Sequence, residues 1–176
     1  REWDAEAEKF VKEEADAILL GAVGAEGKDG KPIRRPDGHL AGYSIVIGLR
    51  MDLDLFANVR PIELFKGVPT PLKVSTSDVR MTIIRENTEG LYAPARGGLD
   101  RGGEREIAID NRIITLKGSR RVAKFAFELA MKGVGAPKDN KKRVTCVDKS
   151  NLLAGCQLFR ETFRKVSESY PDVEDD

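Results

Sequence analysis

Three arginines close apolar or strand-like segments of this chain. Arg50 follows Ser44-Ile45-Val46-Ile47-Gly48-Leu49. Arg60 ends Leu55-Phe56-Ala57-Asn58-Val59 just before Pro61, and Arg85 closes Met81-Thr82-Ile83-Ile84. A guanidinium beside a buried element is costly unless something anionic meets it. Its planar fork also grips a carboxylate with two parallel hydrogen bonds, which Lys cannot copy. The three together suggest a site for a small di- or tricarboxylate. Pairing of Arg60 and Arg85 with internal Asp or Glu explains the same pattern equally well.

Two further residues have the chemistry to act on such a ligand. Arg85 is followed by Glu86-Asn87-Thr88-Glu89-Gly90-Leu91-Tyr92, which brings a phenol towards the same strand end. A tyrosine can give its proton to a carbanion or enolate when a nearby charge tunes it. The plainer reading is a core-edge tyrosine bonded to backbone. Lys149 follows Val147-Asp148 and precedes Ser150-Asn151. Among arginines its pKa would fall, and it could act as a base. Pairing with Asp148 is the structural alternative. The run Gly21-Ala22-Val23-Gly24 lacks the G-x-G-x-x-G spacing of a dinucleotide loop, and no Walker-type loop or acidic metal pair stands out.

Bulk composition excludes other classes. The chain has 176 residues, 40% hydrophobic and 34% charged, which is ordinary for a globular protein. A net charge of +1 and 6% aromatics give no footprint for nucleic acid, and no apolar stretch is long enough for a bilayer. With His39 as the single histidine, a His-based triad or zinc site has almost no material. Cys146, in a predicted strand, and Cys156, on a predicted helix face, read as small buried hydrophobes in a reducing compartment. A cytoplasmic location is expected, with a mitochondrial one left open because the chain begins at Arg1 rather than Met.

The elements that must position these groups alternate between strand and helix, which predicts an α/β fold. A short helix is expected over Ala5 to Glu14. A strand buried on both faces of a parallel sheet is expected over Ala15 to Gly24. Residues 25–42 form a loop, 43–56 a helix, and 57–65 and 79–85 extended segments. A turn spans Gly67 to Pro71, a glycine-rich loop spans Gly90 to Gly103, and 104–116 is extended. Ser119 is expected to cap a helix that Gly133 stops. A basic loop leads to a buried strand from Arg143 to Asp148, and Asn151 is expected to cap a final helix ended by Pro171.

Taken in order, Leu49-Arg50, Phe56-Ala57-Asn58-Val59-Arg60-Pro61, Ile84-Arg85-Glu86-Asn87-Thr88-Glu89-Gly90-Leu91-Tyr92 and Val147-Asp148-Lys149-Ser150-Asn151 resemble the isocitrate/isopropylmalate dehydrogenase family. The early Ile18-Leu19-Leu20-Gly21-Ala22-Val23-Gly24 and the closing Tyr170-Pro171-Asp172-Val173 fit as well. The resemblance implies an isopropylmalate-dehydrogenase-like two-domain fold, only partly represented. Residues 1–56 would belong to the large α/β domain and 57–176 to the small, dimer-forming one. It implies NAD(P)-dependent oxidative decarboxylation of a 3-substituted malate, with NAD or NADP and Mg or Mn as cofactors. A homodimer and a small dicarboxylate are the implied partners.

By the same resemblance, Arg50, Arg60 and Arg85 would hold the malate carboxylates. Lys149, reaching over from a partner subunit, would take the C2 hydroxyl proton. Tyr92 would protonate the enolate, and Asn151 would lie near nicotinamide and substrate. Ser44 stands where isocitrate enzymes use a serine for the extra carboxylate. Val46 and Ile47 suit an apolar or small substituent instead, as in isopropylmalate, malate or tartrate. The Asn87-Thr88-Glu89-Gly90 turn looks more like isocitrate, homoisocitrate and tartrate enzymes, so the substituent stays open. The family's metal-binding aspartates and adenosine loop have no counterpart in these residues. The chain is therefore expected to be an internal piece, inactive by itself. A non-catalytic subunit or dimerisation module of the same ancestry is the alternative, and the retention of Tyr92 and Lys149 argues for the enzyme.

Overall fold

The computed structural model describes residues 2–24, 26–36, 38–93 and 95–176. The chain divides into two compact units, Arg1–Leu55 and Phe56–Asp176.

In the first unit, helix α1 (Ala5–Glu13) starts where the Asp4 side chain accepts a hydrogen bond from the Ala7 N–H at 2.7 Å. Glu6 and Glu8 in its first turn and Lys12 in its last suit the helix dipole. Lys12 also pairs with Asp52, tying α1 to a second helical stretch. That stretch opens as a π-helical turn, Ser44–Gly48, and continues as α2 (Leu49–Asp52). It stops at Leu53 and Asp54, whose φ of 47° breaks the helix before the expected end at residue 56.

The buried strand expected over Ala15 to Gly24 does not form. Leu19 is fully exposed, and Ile18, Leu20 and Val23 are exposed as well. A strand needs neighbours for its N–H and C=O groups, and among the described residues none pairs with this segment. Hydrophobicity alone does not supply that partner. Residues 26–40 are loop, as expected, pinned by bridges Glu26↔Pro32 and Arg34↔Leu40.

In the second unit, β1 (Ala57–Glu63) pairs antiparallel with β2 (Arg80–Glu86). The glycine-rich segment expected to be a loop instead contributes β3 (Arg96–Arg101), hairpinned to β4 (Glu104–Asp110). Gly102 and Gly103, at φ +62° and +86°, make the two-residue turn whose backbone only glycine adopts cheaply. Helix α3 (Leu116–Lys132) is capped by Thr115, not Ser119. The Thr115 hydroxyl accepts from the Gly118 N–H at 2.9 Å, and Ser119 is buried inside the helix.

Strand β5 (Arg143–Val144) runs parallel to β6 (Glu174–Asp175), and the last backbone bond between the two segments is from the Cys146 N–H to the Asp176 carbonyl at 2.6 Å. The strand expected to reach Asp148 leaves Val147 exposed, and Cys146 sits half-buried beyond the strand. Helix α4 (Ala154–Ser167) begins at Leu153 without a side-chain cap, so the exposed Asn151 is not its cap. The core of this unit is Ala123, Phe127, Phe163 and Val173. Phe127 stacks on Tyr170 and packs against Phe163, each with ring centroids 5.2 Å apart. Cys156 is buried on α4.

Candidate functional site

The register of β1 and β2 decides which side chains meet. Asn58 lies opposite Arg85, and Arg60 lies opposite Ile83. Side chains opposite each other, or two apart on one strand, share a face. Arg60 and Arg85 therefore project from the same face on adjacent strands. The neighbouring positions Ile84 and Glu86 face the other way, where Glu86 meets Arg121 of α3.

Arg60 donates from Nε to Asn58 Oδ1 at 2.9 Å. The guanidinium of Arg85 lies 5.1 Å from the centroid of the Tyr92 ring. Among the described residues no carboxylate pairs with either arginine. The internal Asp or Glu partners that the sequence left open are thus not found for them.

The turn that delivers Tyr92 is built by one carboxylate. Glu86 accepts from the Thr88 and Glu89 N–H groups, both at 2.8 Å, from the Thr88 hydroxyl at 2.7 Å, and from Arg121 at 2.9 Å. Burial would raise its pKa, but these donors outweigh it and hold the carboxyl below its ordinary value. Asn87 is buried, and its N–H continues the ladder to the Phe56 carbonyl at 2.9 Å. Glu89 accepts from the N–H and hydroxyl of Thr115, at 2.9 and 2.7 Å. Sequence reasoning assigned no role to Glu86, Arg121 or Thr115. A carboxylate followed at once by Asn and Thr was the available sign of such a turn.

Lys149 and Asn151 lie in the extended segment and turn after β5, both exposed. No described contact joins them to Arg60, Arg85 or Tyr92. Lys149 does not pair with Asp148. That carboxylate takes Arg160 Nε at 2.8 Å and the Ser150 N–H at 2.7 Å. Burial pushes against ionisation of Asp148, yet Arg160, Ser150 and the Cys146 thiol hold it at about 2. Burial, reinforced by Asp148, pushes the Cys146 thiol up to about 12, so it is no nucleophile at neutral pH.

In the first unit, Ser44, Val46, Ile47 and Arg50 all lie on the Ser44–Asp52 helical stretch and are half-buried. Spacings of three and four residues bring Ser44, Ile47 and Arg50, and Val46 and Arg50, towards one side. Among the described residues no three His, Cys, Asp or Glu side chains group to hold a metal ion. No helix among them is long and apolar enough to cross a membrane.

The comparisons agree on ancestry. A family model described as isocitrate/isopropylmalate dehydrogenase matches residues 4–176. A 3-isopropylmalate dehydrogenase of Bifidobacterium longum is 39% identical over 162 residues, covering 92% of this chain and 43% of that relative. A decarboxylating D-malate dehydrogenase of Escherichia coli K12 is 33% identical over 174 residues, covering 98% of this chain and 43% of its own length. The crystal structure of isocitrate dehydrogenase from Methylococcus capsulatus superposes with a TM-score of 0.66 at 37% identity, over 82% of this chain and 40% of that one. The chain thus spans less than half the length of these relatives. With a mixed α/β architecture and a family match over nearly every residue, this chain belongs to the isocitrate/isopropylmalate dehydrogenase family.

Proposed function

We propose that this chain supplies the substrate-holding part of an NAD(P)-dependent dehydrogenase that oxidises and decarboxylates a 3-substituted malate. The strongest support is the shared face of Arg60 and Arg85, with Tyr92 against Arg85 and, among the described residues, no carboxylate paired with either arginine. Two such forks can hold carboxylates of a small acid. Arg50, on its own helix, is the third carboxylate ligand.

The remaining steps belong to proton transfer. Lys149, exposed at the end of its segment, takes the proton of the C2 hydroxyl, from the partner subunit of a homodimer. Exposed Leu99, Ile107 and Ile109 on the β3–β4 hairpin support such an association. Asn151 would lie near NAD or NADP, which when bound would supply the acceptor for the C2 hydride. After carbon dioxide leaves the β-keto acid, Tyr92 returns a proton to the enolate carbon. Among the described residues no three His, Cys, Asp or Glu side chains group to hold Mg or Mn.

The test is steady-state reduction of NAD or NADP by the complete protein carrying this sequence, with 3-isopropylmalate, D-malate and isocitrate. Turnover of at least one is expected. No turnover of any 3-substituted malate would contradict the proposal.

A further inference from the structure

Arg85 and Tyr92 lie together because the chain between them folds back, and that turn hangs on a cluster on the far face of β2. Oε2 of Glu86 accepts the N–H groups of Thr88 and Glu89, and Oε1 accepts the Thr88 hydroxyl and Nη2 of Arg121. The same Arg121 nitrogen also donates to the Thr88 hydroxyl, so the three side chains close a ring. Past the turn, Gly90, at φ +77°, exchanges two backbone hydrogen bonds with Ile113, at 2.8 and 3.1 Å.

Arg121 stands on α3, and its guanidinium lies 4.8 Å from the centroid of the Phe56 ring. The Phe56 carbonyl in turn accepts the Asn87 N–H at 2.9 Å. The side chains of Arg121 and Glu86 are only 19% and 15% exposed, so water does not readily stand in for either partner. All of these groups lie in the second unit.

We propose that Glu86, clamped by Arg121, is a positioning residue that acts on the reaction through Tyr92. The inference rests on the function proposed above. Glu86 touches no reacting atom in this role, since it lies on the strand face opposite Arg60 and Arg85. What it supplies is a group with two acceptor oxygens and no donor. A glutamine offers one acceptor oxygen, and its amide N–H groups would meet either the two turn N–H groups or Arg121 and Thr88. The turn then loosens, and Tyr92 leaves its place against Arg85. A misplacement of about 1 Å at a catalytic group can cost about a hundredfold in rate.

The experiment measures kcat and KM on the preferred 3-substituted malate in the complete protein, for Glu86→Gln, for Arg121→Lys and for each combined with Tyr92→Phe. Glu86→Gln should lower kcat about ten- to a hundredfold while KM moves little. Arg121→Lys keeps a cation but loses the fork, and should lower kcat by a smaller factor. In the Tyr92→Phe background both losses should vanish, because the hydroxyl they misplace is already gone; a merely structural role would multiply the losses. Amide hydrogen exchange gives a readout without turnover: the Thr88 and Glu89 amides should lose protection in Glu86→Gln. Unchanged protection overturns the inference, as does a Glu86→Gln kcat at the wild-type value or a loss that persists in the Tyr92→Phe background. If Glu86→Gln does not fold, Arg121→Lys decides by the same comparison. A wild type inactive on every 3-substituted malate, or a Tyr92→Phe variant with full activity, instead refutes the underlying function and the inference with it.

Discussion

The guanidinium of Arg85 lies over the ring of Tyr92, 5.1 Å from its centroid. A cation on a ring face is worth about 0.5–1 kcal/mol at an exposed site. That is enough to bias the orientation of both side chains, but not to hold them rigidly. The same arginine stands opposite Asn58 across the strand pair, on the face that carries Arg60. One side chain thus links a carboxylate fork to the proposed proton donor.

Replacing that fork with a point charge tests its role. In the complete protein, Arg85→Lys is expected to lower kcat/KM on the preferred malate by roughly thirtyfold or more. This corresponds to about 2 kcal/mol, the low end for breaking a charged hydrogen-bonded pair. Most of the loss should appear in KM. An unchanged KM would mean that Arg85 does not hold the substrate.

Tyr92 is expected to act differently. Tyr92→Phe keeps the ring beneath Arg85 and removes only the hydroxyl. General acid catalysis contributes about 10²- to 10⁴-fold, so kcat should fall within that range while KM moves little. Steady-state kinetics on the same substrate separates the two variants.

A third prediction concerns the frame. A Cβ at Gly118 would fall 2.5 Å from the carboxylate of Glu89, which accepts two hydrogen bonds from Thr115. Alanine in a helix gains about 1 kcal/mol over glycine. Losing two bonds to a charged group costs about 1.5–3 kcal/mol each. With both bonds lost, Gly118→Ala should therefore destabilise the protein by about 2–5 kcal/mol, measured by denaturant unfolding. A stabilised variant would show that Glu89 yields without cost.

Asp148 gives a pH dependence. Its folded pKa, about 2, lies below the ordinary 3.8, so its contribution is fully present above that ordinary value. It is lost as pH falls through about 2 and the folded carboxylate protonates. The stability gap between wild type and Asp148→Asn should be largest at neutral pH and close between about pH 4 and pH 2. Equilibrium unfolding across that range measures it, and a gap that does not close would assign the stabilisation to something other than the charge.

The strand positions of two residues of the proposed site were legible because they sit on strong local signals. Arg60 before Pro61 and Arg85 after a β-branched run mark strand positions, and both strands form. Their shared face was not legible, because register depends on which residues pair across strands. The run Ala15 to Gly24 failed for a related reason, since its exposed apolar residues lack a paired neighbour among the described residues. The β3–β4 hairpin was missed although Gly102-Gly103 is a standard signal for a two-residue turn. The surrounding glycines masked it. Thr115 displaced Ser119 as helix cap because the earlier hydroxyl reaches the first free N–H groups.

The central claim is that these residues act on a 3-substituted malate, with Lys149 as the base. The most direct test is Lys149→Met in the complete protein, assayed by steady-state NAD(P) reduction on the preferred malate. General base catalysis contributes about 10²- to 10⁴-fold, so kcat should fall by at least two orders of magnitude, with substrate binding retained. A kcat that hardly moves would contradict the account.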